Sequence, residues 1–171
     1  MKNFITTLAI TVALLFSHNV LASSYWGLKT LVISNSASSA RSNAVNIGVL
    51  ASIDIAEVGQ KPLAIEADFD TTLVEGTGNT GIYDYTWGNQ TGALYASLKT
   101  PGNNYFKLRL GAYQTKTTVK FLGISSSATS SGPAYGVGFK LGNIVIDYTV
   151  QQDSDDLSNS TSLVSVGFYF E

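Results

Sequence analysis

Apolar and polar residues alternate with a period of two along much of this chain. In the segment 63–70, apolar side chains occupy the odd positions, and acidic side chains occupy positions 66, 68 and 70. In the segment 105–113, Lys107 and Arg109 fall opposite Phe106, Leu108 and Leu110. A β-strand points successive side chains to opposite faces, whereas a helix would scatter this pattern around its axis. The sequence therefore predicts an all-β protein.

The alternation predicts eight strands connected by turns and loops that alternate in length. The strands are expected near 25–34, 43–55, 63–74, 91–100, 105–118, 132–141, 144–153 and 162–170. The short connections are 56–62, 101–104 and 142–143, and the long ones are 35–42, 75–90, 119–131 and 154–161. An even number of antiparallel strands with short turns at one end and long loops at the other is typical of a transmembrane β-barrel. Strands of about ten residues tilted by about 40° climb roughly 25 Å, which is the height of the apolar band of such barrels.

The first 22 residues have the pattern of a cleavable secretory signal peptide. Lys2 supplies the positive start, residues 4–16 form an apolar run, and residues 20–22 form a small-residue cleavage site. A retained membrane helix is the alternative, but it needs about 20 apolar residues. We therefore expect a signal peptide at 1–22 and one barrel domain at 23–171, namely an eight-stranded antiparallel up-and-down transmembrane β-barrel.

Removal of this segment would take away His18, the only histidine, and the chain has no cysteine. The mature protein would then have neither an imidazole nor a thiolate for catalysis or metal binding. We therefore predict that the protein is not an enzyme and has no cofactor and no metal site.

Charged residues make up only 13% of the chain, about half of the roughly 25% usual for soluble domains. The ten Lys and Arg residues against 12 Asp and Glu residues give a net charge of -2. A nucleic-acid-binding protein needs a basic surface, so nucleic acid is excluded as an expected partner.

The strand charges are predicted to line the lumen of the barrel, while the opposite faces carry apolar side chains. The predicted lumen charge network consists of Lys29, Asp54, Glu66, Asp68, Asp70, Lys99, Lys107, Arg109, Lys140 and Asp147. The predicted outer face includes Leu28, Val32, Val45, Ile47, Val49, Ile53, Leu94, Leu98, Val137, Phe139, Ile146, Val150, Val164, Val166 and Phe168. A shift of one residue at 105–118 would turn Lys107 and Arg109 into lipid, at a cost of ~2 to 4 kcal/mol each. Lys116 and Lys120 are an even number of residues from Phe106 and so fall on the outward face of this strand. We expect them to lie above the apolar band.

Aromatic residues cluster near the predicted strand ends, where amphipathic rings favour a membrane interface. These residues are Tyr25, Trp26, Tyr105, Tyr113, Tyr135, Tyr169 and Phe170. The longest predicted loop, 75–90, contains Tyr83, Tyr85 and Trp87. Tyr and Trp are enriched at recognition hot spots, so these three residues are candidates for surface recognition.

Four stretches, 61–69, 107–113, 135–139 and 164–170, carry alternating strand signatures in a consistent order. In these stretches the chain resembles the small eight-stranded outer-membrane β-barrel family, which includes the OmpA transmembrane domain, OmpX and opacity-type adhesins. The resemblance implies a place in the outer membrane of a Gram-negative cell, in contact with lipid and lipopolysaccharide. It also implies recognition by the barrel insertion machinery, for which Phe168 and Phe170 match the terminal signal and Glu171 departs from it.

Three functions are compatible with this reading. The first is a structural or surface-interaction barrel that displays four extracellular loops to a ligand not identified by the sequence. The second is a narrow porin-like channel for ions or small solutes, which a lumen filled with side chains disfavours. The third is a soluble secreted barrel with its charges outside and an apolar ligand inside, because alternation alone does not distinguish the two faces.

Overall fold

The computed structural model describes residues 24–35, 42–155 and 160–170. The expected signal peptide at 1–22 and the terminal Glu171 lie outside the described residues. Within the described ranges, no helix is long and apolar enough to span a membrane.

The described chain forms nine strands in one antiparallel sheet. They are β1 (Ser24–Asn35), β2 (Ala44–Val58), β3 (Lys61–Val74), β4 (Gly76–Asn79), β5 (Asp84–Lys99), β6 (Tyr105–Phe121), β7 (Ile124–Leu141), β8 (Ile144–Gln152) and β9 (Ser160–Phe170). Strands that are consecutive in sequence pair with each other, except that β3 pairs with β5 instead of β4, and β1 pairs with β9. These last two pairings close the sheet into an eight-stranded barrel, with β4 as a short additional strand beside β5. The predicted fold class is confirmed.

Two predicted loops are largely strand. The 75–90 segment contains β4 and the first seven residues of β5, and β4 pairs with this part of β5 from Gly76–Trp87 to Asn79–Asp84. The 119–131 segment forms the end of β6 and the start of β7, paired from Val119–Ser126 to Phe121–Ile124. The expected loops here were wrong because Ser- and Thr-rich sequences have the composition of turns, although paired backbone groups also hold them as strands.

The barrel has two different ends. At the turn end, short connections centred on residues 59–60, 101–104 and 142–143 join β2 to β3, β5 to β6, and β7 to β8. At the opposite loop end, β6 and β7 are joined by Leu122 and Gly123, whose φ angles are 47° and 80°. Two consecutive positive φ angles match the right-handed twist of paired strands, so they make the tightest form of hairpin. This turn allows β6 and β7 to extend beyond the rest of the barrel.

The outer face of the barrel is apolar. The apolar residues assigned to it from the alternation are all exposed or half-buried. On β6, Leu108 and Leu110 are exposed by 52% and 65%, whereas Arg109 between them is only 6% exposed. The side-chain register of β6 is therefore the one expected from the cost of placing its cations in lipid.

Candidate functional site: the lumen and the loop end

The predicted lumen charges lie inside the barrel. Nine of the ten are buried, and Asp54, at the turn end, has 20% of its side chain exposed. They come from β1, β2, β3, β5, β6, β7 and β8, because each strand contributes the positions that face inward.

The centre of the lumen is a compact group of ion pairs. Lys107 Nζ lies 3.0 Å from Glu66 Oε2 and 3.2 Å from Asp147 Oδ1. The Arg109 guanidinium lies 3.4 Å from Glu66, 3.3 Å from Asp68 and 3.3 Å from Asp147. Each carboxylate thus has at least one cationic partner, as buried charges require. This arrangement fills the barrel at its middle.

Polar contacts continue from this centre toward the loop end. Lys29 Nζ donates a 2.7 Å hydrogen bond to Asp68. The next acid along β3, Asp70, accepts a 2.5 Å hydrogen bond from the Asn46 side-chain amide. Thr72 in turn donates to the Asn46 side-chain oxygen at 2.8 Å. Each inward-facing acid of β3 therefore has a partner on β1, β2 or β6, although Asp68 Oδ1 is buried without a hydrogen bond from the described residues.

Four of the seven aromatic residues expected at a membrane interface face the lumen instead. They are Tyr25, Tyr105, Tyr113 and Tyr169, all buried. Tyr105 donates to the Tyr25 hydroxyl at 2.8 Å, and Tyr25 donates to Glu66 at 3.3 Å. A buried tyrosine hydroxyl needs such a partner, and the lumen supplies one. The expectation for these four residues was wrong, whereas Trp26, Tyr135 and Phe170 do point outward and are exposed.

Tyrosine rings also cover the lumen cations. The Arg109 guanidinium lies 4.2 Å from the centre of the Tyr95 ring. Lys107 Nζ lies 6.0 Å from the Tyr169 ring centre. A cation over an aromatic face is attracted by the quadrupole of the ring. The tyrosines therefore stabilise the same charges that the carboxylates neutralise.

Inward-facing glycines make room for these large side chains. Gly138 faces Lys107 on β6 and Asp147 on β8, and a Cβ at Gly138 would overlap both side chains. Gly27 faces Tyr169, whose ring occupies the space that a Cβ would need. The sequence analysis did not predict this role. The signal was available, because each of these glycines is two residues from a lumen lysine and so lies on the same face of its strand.

An apolar plug closes the loop end of the lumen. It consists of Leu31, Ile33, Ala44, Trp87 and Leu163, all buried, and Trp87 is 2% exposed. Trp87 was expected on the surface; instead it faces inward, where its indole packs against Gly76 of the paired strand β4. A residue this deeply buried has no surface for recognition, so the expectation for Trp87 is corrected.

The other two candidate recognition residues lie nearer the surface. Tyr85 is half-buried and packs against the plug, and its ring fills the space beside Gly78. Tyr83 is exposed and makes an edge contact with Phe121, with ring centres 5.5 Å apart. This contact joins the tip of the β4–β5 connection to the tip of the β6–β7 hairpin, where Leu122 and Ile124 are exposed by 72% and 71%.

The loop-end parts of β4 to β7 form a sheet that extends beyond the apolar belt, and we call it the protruding sheet (76–79, 84–91, 114–121 and 124–132). On its outer face, Gln90, Lys116 and Ser131 replace the aliphatic residues found nearer the turn end. Lys116 and Lys120 therefore lie beyond the belt. Lys120 forms an ion pair with Glu75.

One edge of the protruding sheet is open among the described residues. The described β8 pairs with β7 only from Ala134 to Leu141. Between Ile124 and Ser131, the only described backbone bond on this side is from Ser154 N–H to the Ser131 carbonyl, at 3.1 Å. The segment contains no charged residue and no proline, which are the usual protections of a free strand edge.

The residues of the predicted C-terminal insertion signal lie on the outer face at the turn end. Phe168 and Phe170 are both exposed, and their ring centres are 5.2 Å apart. The Phe170 ring stacks on Trp26 of the neighbouring strand at 4.6 Å. The aromatic end of β9 therefore forms a continuous apolar surface with β1.

The described residues contain no group of His, Cys, Asp and Glu side chains that could hold a metal ion. The carboxylates of the lumen are paired with cations or amides, and the plug separates them from the loop end. The chemical properties of this interior are those of a neutralised polar core.

Comparison with known proteins places the fold. No protein-family model and no curated protein matches the chain. Among solved structures, it is similar to Ail, the attachment invasion locus protein of Yersinia pestis, in complex with the heparin analogue sucrose octasulfate. That match has 16% identity and a TM-score of 0.51, and it covers 87% of this chain and 97% of Ail.

Two further solved structures agree. The N-terminal β-barrel domain of Pseudomonas aeruginosa OprF matches at 10% identity and a TM-score of 0.54, over 87% of this chain and 99% of that domain. Neisserial surface protein A matches at 14% identity and a TM-score of 0.53, over 86% and 97%. The described strands therefore have the fold of the small outer-membrane β-barrel proteins.

Proposed function

We propose that the protein is an integral outer-membrane β-barrel, exported by a signal peptide at 1–22 and in contact with outer-membrane lipid and lipopolysaccharide. The observation that carries this proposal is the exposed apolar belt around a barrel whose charges are neutralised inside. Exposure of such a belt to water would cost free energy, whereas contact with lipid acyl chains removes its apolar surface from water. The soluble alternative requires the reverse orientation, with Arg109 outside and Leu108 inside.

The two tryptophans provide a test of the membrane location. Trp26 lies on the belt near the turn end, whereas Trp87 is enclosed in the plug. We expect phospholipids brominated on their acyl chains to quench the fluorescence of Trp26 in a Trp87→Phe variant. The matched Trp26→Phe variant should be quenched much less. A chain that stays in aqueous solution without detergent and shows no quenching in either variant would contradict the proposal.

The same proposal assigns the barrel a surface-interaction role through the protruding sheet. Its β7 edge, which is open among the described residues, offers backbone N–H and C=O groups to an extended peptide strand, and short Ser and Thr side chains leave these groups accessible. Strand addition to an exposed edge is a common mode of peptide recognition. Tyr83, Leu122 and Ile124 at the tip offer apolar contacts to the same partner.

A polyanion fits the loop end less well. Ail was solved with a heparin analogue, but the described loop-end surface here carries Glu75, Asp84, Asp153 and Asp155 against two lysines, Lys116 and Lys120. Like charges repel, so this acidic surface favours a peptide partner over a sulfated sugar.

Thr129 provides a selective test of the open edge. In a two-residue hairpin the pairing of Phe121 with Ile124 places the backbone N–H groups of 125, 127 and 129 on the side away from β6. Thr129→Pro therefore removes an edge donor without removing a bond to β6, and Thr129→Val is the control that retains it. We expect bacteria displaying the proline variant to attach less to epithelial monolayers than those displaying the valine variant. Equal attachment by both variants would reject strand addition, and no protein-dependent attachment at all would reject the surface role.

The narrow channel has no comparable support, because the central ion pairs and the plug fill the lumen. The absence of catalytic activity stays a prediction. It is supported by the pairing of the lumen carboxylates with cations and amides.

A further inference from the structure

The turn end of the barrel contains an open cavity of about 490 Å³. It lies between the ends of β2, β5 and β7 and the starts of β1, β3 and β6, and we call it the vestibule. The residues that line it are Ser24, Tyr25, Asp54, Pro62, Lys99, Thr100, Gly102, Asn103, Tyr105 and Lys140. Its volume lies within the range of small-molecule sites, which is about 300 to 1,000 Å³.

Two lysine ammonium groups converge on the floor of the vestibule. Lys99 Nζ lies 4.6 Å from the Tyr25 ring centre and 5.4 Å from the Tyr105 ring centre. Lys140 Nζ lies 5.9 Å and 5.6 Å from the same two centres. Both ammonium groups are measured from the same Tyr25 ring centre, so their separation is at most the sum of the two distances, about 10.5 Å. A single small molecule could contact both.

The side chains that line the vestibule carry more positive than negative charge. Lys99 is paired with Asp54, the only carboxylate in the lining. Deeper in the lumen, Glu66 accepts from Tyr25 and is held by Lys107, and Asp147 is held by Lys107 and Arg109. The lining therefore consists of two cations and one anion, together with hydroxyl and amide donors.

The vestibule is reached from the turn end only, as far as the described residues show. The central ion pairs lie behind it, and the apolar plug lies beyond them. It therefore differs from a channel entrance, because a solute that enters it must leave by the same opening. Charged groups in a cavity that protein surrounds on every side but one attract an opposite charge more strongly than they would on a flat surface.

We propose that the vestibule binds a small solute through an anionic phosphate or carboxylate group. The ammonium groups of Lys99 and Lys140 neutralise the anion. The Thr100 hydroxyl and the Asn103 side-chain amide, both on exposed residues, supply hydrogen-bond donors at the opening. The proposal goes beyond the surface-interaction role and concerns the opposite end of the barrel.

Inorganic pyrophosphate is a suitable probe, with the intact barrel folded in a zwitterionic detergent. We expect saturable amide NMR shifts at Gly102, Asn103 and Tyr105. Lys140→Gln should raise the apparent Kd about tenfold, as loss of a charge-assisted hydrogen bond does. Lys61→Gln is the matched control, because Lys61 is exposed at the same end but outside the vestibule lining. It should leave the Kd unchanged.

Three results would overturn the proposal. One is a shift that rises linearly with pyrophosphate and is matched by sodium chloride at equal ionic strength. Another is an equal loss of affinity in the Lys61→Gln and Lys140→Gln variants, which would indicate screening at the surface. A third is a Lys99→Arg variant, folded as judged by its heat-modifiable electrophoretic mobility, that binds no better than Lys99→Gln, since a retained cation should preserve binding.

Adding phosphatidylglycerol to the detergent distinguishes a lipid headgroup from a free solute. If the ligand is a free solute, pyrophosphate shifts the vestibule amides and the lipid does not. If it is a lipid headgroup, the lipid shifts the vestibule amides together with those of Trp26 and Phe106 on the outer face. Both results support an anion site, and the absence of a vestibule shift with either ligand rejects it.

Discussion

At the scale of the residue, Glu66 carries the greatest consequence for the interior. Its side chain is completely buried, and its carboxylate contacts Lys107, Arg109 and Tyr25. A buried ion pair adds little net stability relative to well-packed apolar residues, but removal of one partner leaves an uncompensated charge. Glu66 is thus required less for attraction than for preventing an isolated cation in the lumen.

We expect Glu66→Gln to lower the free energy of unfolding by about 3 to 5 kcal/mol, the usual effect of breaking a buried ion pair. Urea unfolding in lipid vesicles, followed by tryptophan fluorescence, measures this change. Glu75→Gln is the control, because Glu75 forms its ion pair with Lys120 in solvent. It should leave the unfolding midpoint in place. Equal midpoints for the two variants would contradict the role of Glu66.

The charges and the tyrosines differ in how well the sequence predicts their positions. Charged side chains are excluded from lipid, so parity assigns Lys107 and Asp147 to the lumen, where they lie. Tyrosine has an apolar ring and a polar hydroxyl, and it is compatible with both the lumen and a membrane interface. Spacing along the strand distinguishes the two cases, because side chains an even number of residues apart lie on the same face. Tyr25 therefore faces inward with Lys29, whereas Tyr135 faces outward with Val137.

At the scale of the element, the β6–β7 hairpin shows what alternation does and does not reveal. Its turn-end half alternates aliphatic with charged residues, and this half was predicted. Its loop-end half, 114–132, has Thr and Ser on both faces, so the hydrophobic period disappears although the backbone pairing continues. The predicted strands ended at 118 and began again at 132. Between these positions, only the pairing of β6 with β7 shows that both strands continue, for example where the hydroxyls of Thr118 and Ser127 meet at 3.0 Å.

The two halves of β6 should respond differently to a new outward charge. Leu108→Arg places a guanidinium in the apolar belt, and we expect a loss of ~2 to 4 kcal/mol in lipid vesicles if the site is near the bilayer midplane. Thr118→Arg places the same group on the same face ten residues further on, beside Lys116 and Lys120. That variant should unfold almost as the unmodified protein does. A similar loss in both variants would mean that the belt boundary lies elsewhere.

At the scale of the whole molecule, the lumen is divided into three layers along its axis. The vestibule opens at the turn end, the ion pairs occupy the middle, and the apolar plug closes the loop end. The two inner layers block passage by different means, one by filling the lumen with paired charges and the other by excluding water. The likeness to other small barrels shows the fold, and the three layers describe the interior of this one.

We expect the protein to show no steady single-channel current in a planar lipid bilayer, because an eight-stranded lumen is just wide enough for its side chains to fill. Trp87→Ala removes the largest side chain of the plug but leaves the central ion pairs, so this variant should also be silent. Stable conductance steps in the unmodified protein that change when Arg109 is neutralised would instead support a channel.

The ladder between β1 and β9 connects Trp26 with Phe170, so one seam joins positions at opposite ends of the described chain. Bringing such distant segments together costs more chain entropy than any hairpin in the molecule. The ring cannot close before β9 has been synthesised, and until then β1 remains an open template for pairing with other chains. Closure of the ring is therefore a late event, and β9, the last of the described strands, determines whether β1 is protected from pairing with other chains.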